Sequence, residues 1–228
     1  MQPEQYEAWY TTQRGAWIGE EEYRLIASLL AQNPSETLLD VGCGTGYFTR
    51  RFATDAAERN VLGTDIDLNM LRFAGRHSAH SIGYVAADAR QLPFRDSSFD
   101  LVVSVTALCF IREEQQALRE MLRVARRRVV LGLLNRHSLL YLGKGRRGGR
   151  GAYHGARWHT PTEALRLFDG LPVLHAGHGT AIVMPGGKHW SRRLEPLLRR
   201  WLPGCGAFIA IAADVLPELR PQLEGGMT

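Results

Sequence analysis

Residues 38–46 read LLDVGCGTG, and this segment constrains the fold more than any other in the chain. An apolar run, Leu38, Leu39 and Val41, carries one acid, Asp40, and glycine then alternates at Gly42, Gly44 and Gly46. The pattern predicts a buried strand that breaks into a tight turn at the mouth of a sheet. Glycine there admits a positive φ and lets a ligand approach the backbone with no Cβ in the way. The following YFTRRFATDAA has helical periodicity, so the unit reads strand, glycine loop, helix.

The spacing separates two kinds of ligand. A dinucleotide loop runs G-x-G-x-x-G and seats a pyrophosphate on the helix N-terminus. Here the run is G-x-G-x-G with Asp40 two residues ahead of it. A carboxylate aimed into the site would repel a pyrophosphate but suits a ligand carrying an ammonium group.

About twenty residues on, VLGTDIDLNML repeats the order strand, acid, helix start. Asp65 ends the run at the offset of a ribose-binding carboxylate in doubly wound folds, and a carboxylate can accept both hydrogen bonds of a vicinal diol. Asp67 reads as the cap of a helix beginning at Leu68. The stretch GYVAADARQLPFRDSSFDLVVSVTALCFI then supplies a third strand ending at Asp88 and a fourth over Leu101 to Val105. Asp88 can accept from an exocyclic amine, Ala89 offers a backbone N–H to a ring nitrogen, and Ile66 and Met70 can sandwich an adenine.

In this order the residues resemble the class I S-adenosylmethionine-dependent methyltransferases. They are most similar to the type 11 branch, which includes the ubiquinone/menaquinone-biosynthesis-type enzymes. The resemblance covers about residues 35–135 and rests on LLDVGCGTG, VLGTDID, AADARQLPFRDSSFDLVVS and the helix EEQQALREMLRVARR, all in register. It implies a Rossmann-like, doubly wound α/β fold: a seven-stranded, mostly parallel sheet with an antiparallel last strand and helices on both faces. It implies that Asp40, Gly42 and Gly44 surround the methionine part of S-adenosylmethionine, with Cys43 and Gly46 in the same loop. Asp65 would take the ribose, and Asp88 and Ala89 the adenine. Many relatives carry histidine or tryptophan near Leu108-Cys109, where this chain has neither, and that difference falls on the acceptor side.

A chain of 228 residues, 45% hydrophobic, is long enough for one α/β domain. Four segments are expected: a helical lid over 1–33, a cofactor-binding core over 36–135, a flexible basic insertion over 136–160, and C-terminal helices and last strands over 161–228. Thr160, Pro161 and Glu163 form a capping-box signature for a helix through Leu167. The apolar runs 172–184 and 206–213 read as the last, antiparallel strands, with HWSRRLEPLLRRWL between them an amphipathic helix interrupted by Pro196.

No window approaches a membrane span, and MQPEQYEAWY lacks the layout of a signal peptide. Cys43, Cys109 and Cys205 show no metal-ligand spacing, so no metal and a reducing cytoplasm are expected. His175 and His178 stand at i, i+3 with no acid or cysteine nearby to complete a metal set.

Net charge is +5. Arg123, Arg126, Arg127 and Arg128 read as cations at a helix C-terminus, where they complement the dipole. The run GKGRRGGRGAYHGARWHT (143–160) is too glycine-rich to hold a rigid basic face alone and reads as a mobile loop or lid. It could bind phosphates of an anionic small substrate or of RNA. The N-terminal YEAWYTTQRGAW is either a lid that packs on the sulfonium, with Tyr10 the leading contact, or the apolar face of a docked terminal helix. His137 and His154 are candidate bases.

The leading expectation is methyl transfer to a small-molecule acceptor. An RNA or protein methyltransferase using the basic loop, and a non-catalytic binder of S-adenosylmethionine, are the alternatives.

Overall fold

The computed structural model describes residues 2–31, 33, 35–55, 60–79, 81–187 and 189–216. Its centre is a seven-stranded sheet in the order β3-β2-β1-β4-β5-β7-β6. The strands are β1 (Leu38–Val41), β2 (Val61–Asp65), β3 (Gly83–Ala86), β4 (Phe99–Val105), β5 (Ala125–Leu134), β6 (Val173–Ala181) and β7 (Phe208–Val215). The helices are α1 (Pro3–Thr11), α2 (Gln13–Leu30), α3 (Tyr47–Thr54), α4 (Leu68–Arg76), α5 (Glu114–Val124), α6 (Pro161–Arg166) and α7 (His189–Trp201).

Burial explains the strand sequences. Every residue of β1 is buried, because β1 lies mid-sheet between β2 and β4, both parallel to it. The chain steps outward on one side through β2 and β3, and on the other through β4 and β5. The carboxyl ends of β1 and β4 therefore flank the point where strand order reverses, the usual crevice of a doubly wound sheet.

One detail of the sheet differs from expectation. β7 alone runs against its neighbours, wedged antiparallel between β5 and β6, so β6 points the same way as β1 to β5. The third strand also stops at Ala86, two residues short of Asp88. The end of the expected helix YFTRRFATDAA, Ala56 and Ala57, lies outside the described residues, as do Met1, Gln32 and 217–228 of the terminal segments.

Local signals set the helix boundaries. Asp67 caps α4 by accepting the Asn69 N–H, and Thr160 and Glu163 close a complete capping box on α6. α7 continues through Pro196 rather than breaking there. Its buried Glu195 receives the Val183 N–H at 2.9 and 3.1 Å, which ties the helix to the chain leaving β6.

The arginine cluster has a different role from the one its position suggests. The helix α5 ends at Val124, so Arg126, Arg127 and Arg128 belong to β5. Arg127 is bidentate to Glu36 and Arg128 to Asp214, while Arg123 grips Glu120 and Asp96. Arg127 and Arg128 stitch the base of the sheet by ion pairing, while Arg123 does lie in the last turn of α5.

The basic segment 136–160 is pinned at its neck. Arg136 N–H donates to the His159 carbonyl and His159 N–H to that of Leu134, and Trp158 is buried against Tyr141 and Tyr153. No described helix is long and apolar enough to cross a membrane.

Candidate cofactor and acceptor site

The glycine loop is built on β2. The N–H groups of Gly42 and Cys43 both donate to the Thr64 carbonyl, at 2.7 and 2.8 Å, folding the chain back as it leaves β1. Gly42 holds φ +75°, and a Cβ there would overlap the Cβ of Ala107. Gly44 holds φ +54° and donates its N–H to Asp65 Oδ2 at 2.8 Å, and a Cβ on it would meet only Tyr6 at 4.0 Å. Its backbone therefore faces open space beside a carboxylate. The other oxygen of Asp65 accepts the Asp67 N–H at 2.9 Å.

Around this loop opens a cavity of about 870 Å³. It gathers Gly42, Gly44, Asp65, Ile66, Met70, Asp88 and Ala89, seven positions from three successive strand ends. Ile66 is 69% exposed, an apolar side chain standing free at the rim. Asp88 is engaged: Arg90 holds it at 2.6–3.1 Å through three hydrogen bonds and also pairs with Glu113. That guanidinium keeps the Asp88 carboxyl below the usual carboxylate range.

Four of the expected residues do not line this cavity. Asp40 is 1% exposed and accepts the Thr49 hydroxyl at 2.6 Å, so its carboxyl supports the loop from below rather than facing a ligand. Burial pushes it up to about 7. The Cys43 sulfur turns towards Gly63, and burial raises its thiol. Gly46 caps α3 with its Cα against the Tyr84 hydroxyl. Tyr10 is buried and stacked on Tyr47 at 3.7 Å, while Tyr6, one helical turn earlier, reaches the cavity in its place. The i, i+4 relation puts both tyrosines on one face of α1, and packing decides which is inside.

Sequence reasoning also missed Arg90 and Thr106. Arg90 was signalled by its place two residues after Asp88. Thr106 follows the end of β4 at φ +60°, and nothing in its local sequence announced that conformation.

A second cavity, of about 410 Å³, lies under α1 and α2. Trp9, Tyr10, Phe110, Leu140 and Tyr153 give it an aromatic and apolar wall. Arg14, Ile18 and Glu22, at i, i+4 and i+8 of α2, form a stripe along it, and Lys144 and Arg150 of the basic segment reach it from the surface. Ile182 lines it at φ +68°, strained for a β-branched residue. The two cavities share Tyr6, Thr106, Phe110, Gly151 and Ala152. Of the two candidate bases, His154 lines the first cavity and His137 neither. The rings of His175 and His178 lie 5.2 Å apart, tilted by 52°, on the edge strand β6. Among the described residues no group of three or more histidine, cysteine or acidic side chains is placed to hold a metal.

With that geometry in place, residues 39–131 match the family model of the type 11 methyltransferase domain. Over that stretch the chain carries a methyltransferase domain. Over 103 residues the chain is 37% identical to a demethylmenaquinone methyltransferase of Renibacterium salmoninarum, covering 45% of this chain and 42% of that protein. Over 101 residues it is 38% identical to a biotin biosynthesis bifunctional protein of Cellvibrio japonicus, covering 44% of this chain and 20% of that protein. The matched region thus spans less than half the length of these curated relatives. Among solved structures it superposes on an S-adenosylmethionine-dependent methyltransferase of Thermotoga maritima, described as a possible histamine N-methyltransferase. That match has a TM-score of 0.71 and 23% identity over 93% of this chain and 96% of that one. At this identity the likeness carries the fold and nothing finer.

Proposed function

We propose that the chain transfers the methyl group of S-adenosylmethionine to a small-molecule acceptor. The observation that carries this reading is the shared wall: the cavity at the glycine loop and the cavity under α1 and α2 are both lined by Tyr6, Thr106, Phe110, Gly151 and Ala152. In this reading Asp65 holds the ribose diol and Ile66 and Met70 flank the adenine. Asp88, oriented by Arg90, and the Ala89 backbone bind the adenine edge. Gly42 and Gly44 let the methionine part lie against bare backbone.

When bound, S-adenosylmethionine supplies an already activated methyl group. The protein's task is then to hold the acceptor in line with it and to exclude water. The enclosure under α1 and α2 suits that task. Lys144 and Arg150, both exposed, stand at the rim of this enclosure. The three free cysteines fit a reducing cytoplasm.

Isothermal titration with S-adenosylmethionine and, separately, S-adenosylhomocysteine tests the reading. Micromolar binding of both is expected, and a folded chain that binds neither overturns it. Binding without turnover across amines, phenols, carbon acids and RNA would instead identify a non-catalytic binder.

A further inference from the structure

Glu22 is an acid on the buried face of an amphipathic helix. Its neighbours on that face of α2, Ile18 and Ile26, are 6% and 0% exposed, so the pattern calls for an apolar residue at position 22. Among the described residues Glu22 has neither a hydrogen-bond nor an ion-pair partner. It opens into the second cavity, where Tyr6, Tyr10 and Tyr153 lie within electrostatic reach of its carboxylate. A carboxyl held without a partner in an apolar enclosure is costly to ionise, and its burial pushes it up to about 8.

The unmet partner defines the ligand. Aromatic faces attract a cation, and a desolvated carboxylate completes its recognition. Trp9, Tyr6, Tyr10, Tyr153 and Phe110 supply the faces, and Glu22 is the acid on this wall. The cations that share the cavity sit apart from it. Arg14 lies eight residues back along α2, about 12 Å by helical rise, with its Nε donating to the Pro185 carbonyl. Lys144 and Arg150 are exposed.

Resting on the methyl-transfer reading above, we propose that the acceptor is a small amine and that Glu22 binds its ammonium group and removes its proton. The carboxylate takes one proton from R–NH3+, leaving R–NH2 with a free lone pair and a neutral Glu22. That lone pair forms the N–C bond to the methyl group of S-adenosylmethionine as the C–S bond breaks with its electron pair on sulfur. The products are a protonated methylamine and S-adenosylhomocysteine. A group titrating near neutral pH suits such a proton transfer.

The test uses three bodies, phenyl, naphthyl and indolyl, each carrying an ethylamine, an acetate or an ethanol group. Thermal shift and calorimetry are run on the whole chain with and without S-adenosylhomocysteine, for the native protein and for Glu22→Gln and Lys144→Ser/Arg150→Ser. At least one body should bind best as its amine. Glu22→Gln should lose that preference tenfold or more while its affinity for S-adenosylhomocysteine stays unchanged, and the loop variant should keep the preference.

No amine preference for any body, or a preference that survives in Glu22→Gln, overturns the proposal. So does a preference for the acetates that disappears with Lys144→Ser/Arg150→Ser. Failure of S-adenosylhomocysteine to bind would sink the methyl-transfer reading alone, because an amine preference that depends on Glu22 is measured without it.

Discussion

Asp65 holds the glycine loop and, in the proposed reading, the ribose as well. Its two oxygens already accept the N–H groups of Gly44 and Asp67, and each oxygen keeps a second lone pair for a ribose hydroxyl. Asp65→Ala should therefore weaken S-adenosylmethionine binding by about 1–3 kcal/mol. Calorimetry showing unchanged affinity would remove the ribose assignment. Gly42 is constrained from the other direction. Alanine there meets Ala107 and must also hold φ +75°, a strain of about 1–3 kcal/mol for a non-glycine residue. Gly42→Ala should abolish cofactor binding while far-ultraviolet circular dichroism still reports a folded chain; normal binding would mean the loop is not the ligand's seat. Both residues were readable from spacing, since each sits at a strand end. Tyr10 was not, because α1 carries tyrosines a turn apart and only packing against Tyr47 turns one of them inward.

At the scale of elements, the capping box on α6 joins the basic segment to the rest of the molecule. Arg136, at the neck of that segment, pairs with the same Glu163 that closes the box. Thr160→Ala removes one half of the box and should cost about 1 kcal/mol of stability. Urea denaturation measures it, and an unchanged midpoint would show that the neck is held by its backbone bonds alone. The box was legible because its chemistry is local. The destination of the arginines after α5 was not: whether Arg127 meets a helix dipole or Glu36 depends on a contact 91 residues away in sequence.

Over the whole molecule, two acids share an unusual titration. Asp40 rises to about 7 and Glu22 to about 8, each because burial penalises its charged form. Between pH 4 and 8 the folded chain keeps protons at these sites that the unfolded chain has released. The stability they contribute is full below their unfolded values and is lost as pH rises through 7 and 8. The melting temperature should accordingly fall from pH 5 to pH 8. In Glu22→Gln that slope should be shallower, and equal slopes would show that Glu22 ionises without hindrance. Asp40 lies beneath the glycine loop and Glu22 in the wall of the second cavity.

The sequence by itself determined the core order of strand and helix from the glycine loop to β5, the acids at the strand ends, and the caps of α4 and α6. These follow from periodicity and from backbone rules that act over a few residues. The tertiary structure decided the direction of β6, the burial of Tyr10 against Tyr47 that leaves Tyr6 at the glycine-loop cavity, the clamp of Arg90 on Asp88 and the enclosure of Glu22. Each depends on which distant surface an element buries, and a buried carboxyl gains its chemistry only from what the fold removes around it: water and a partner charge.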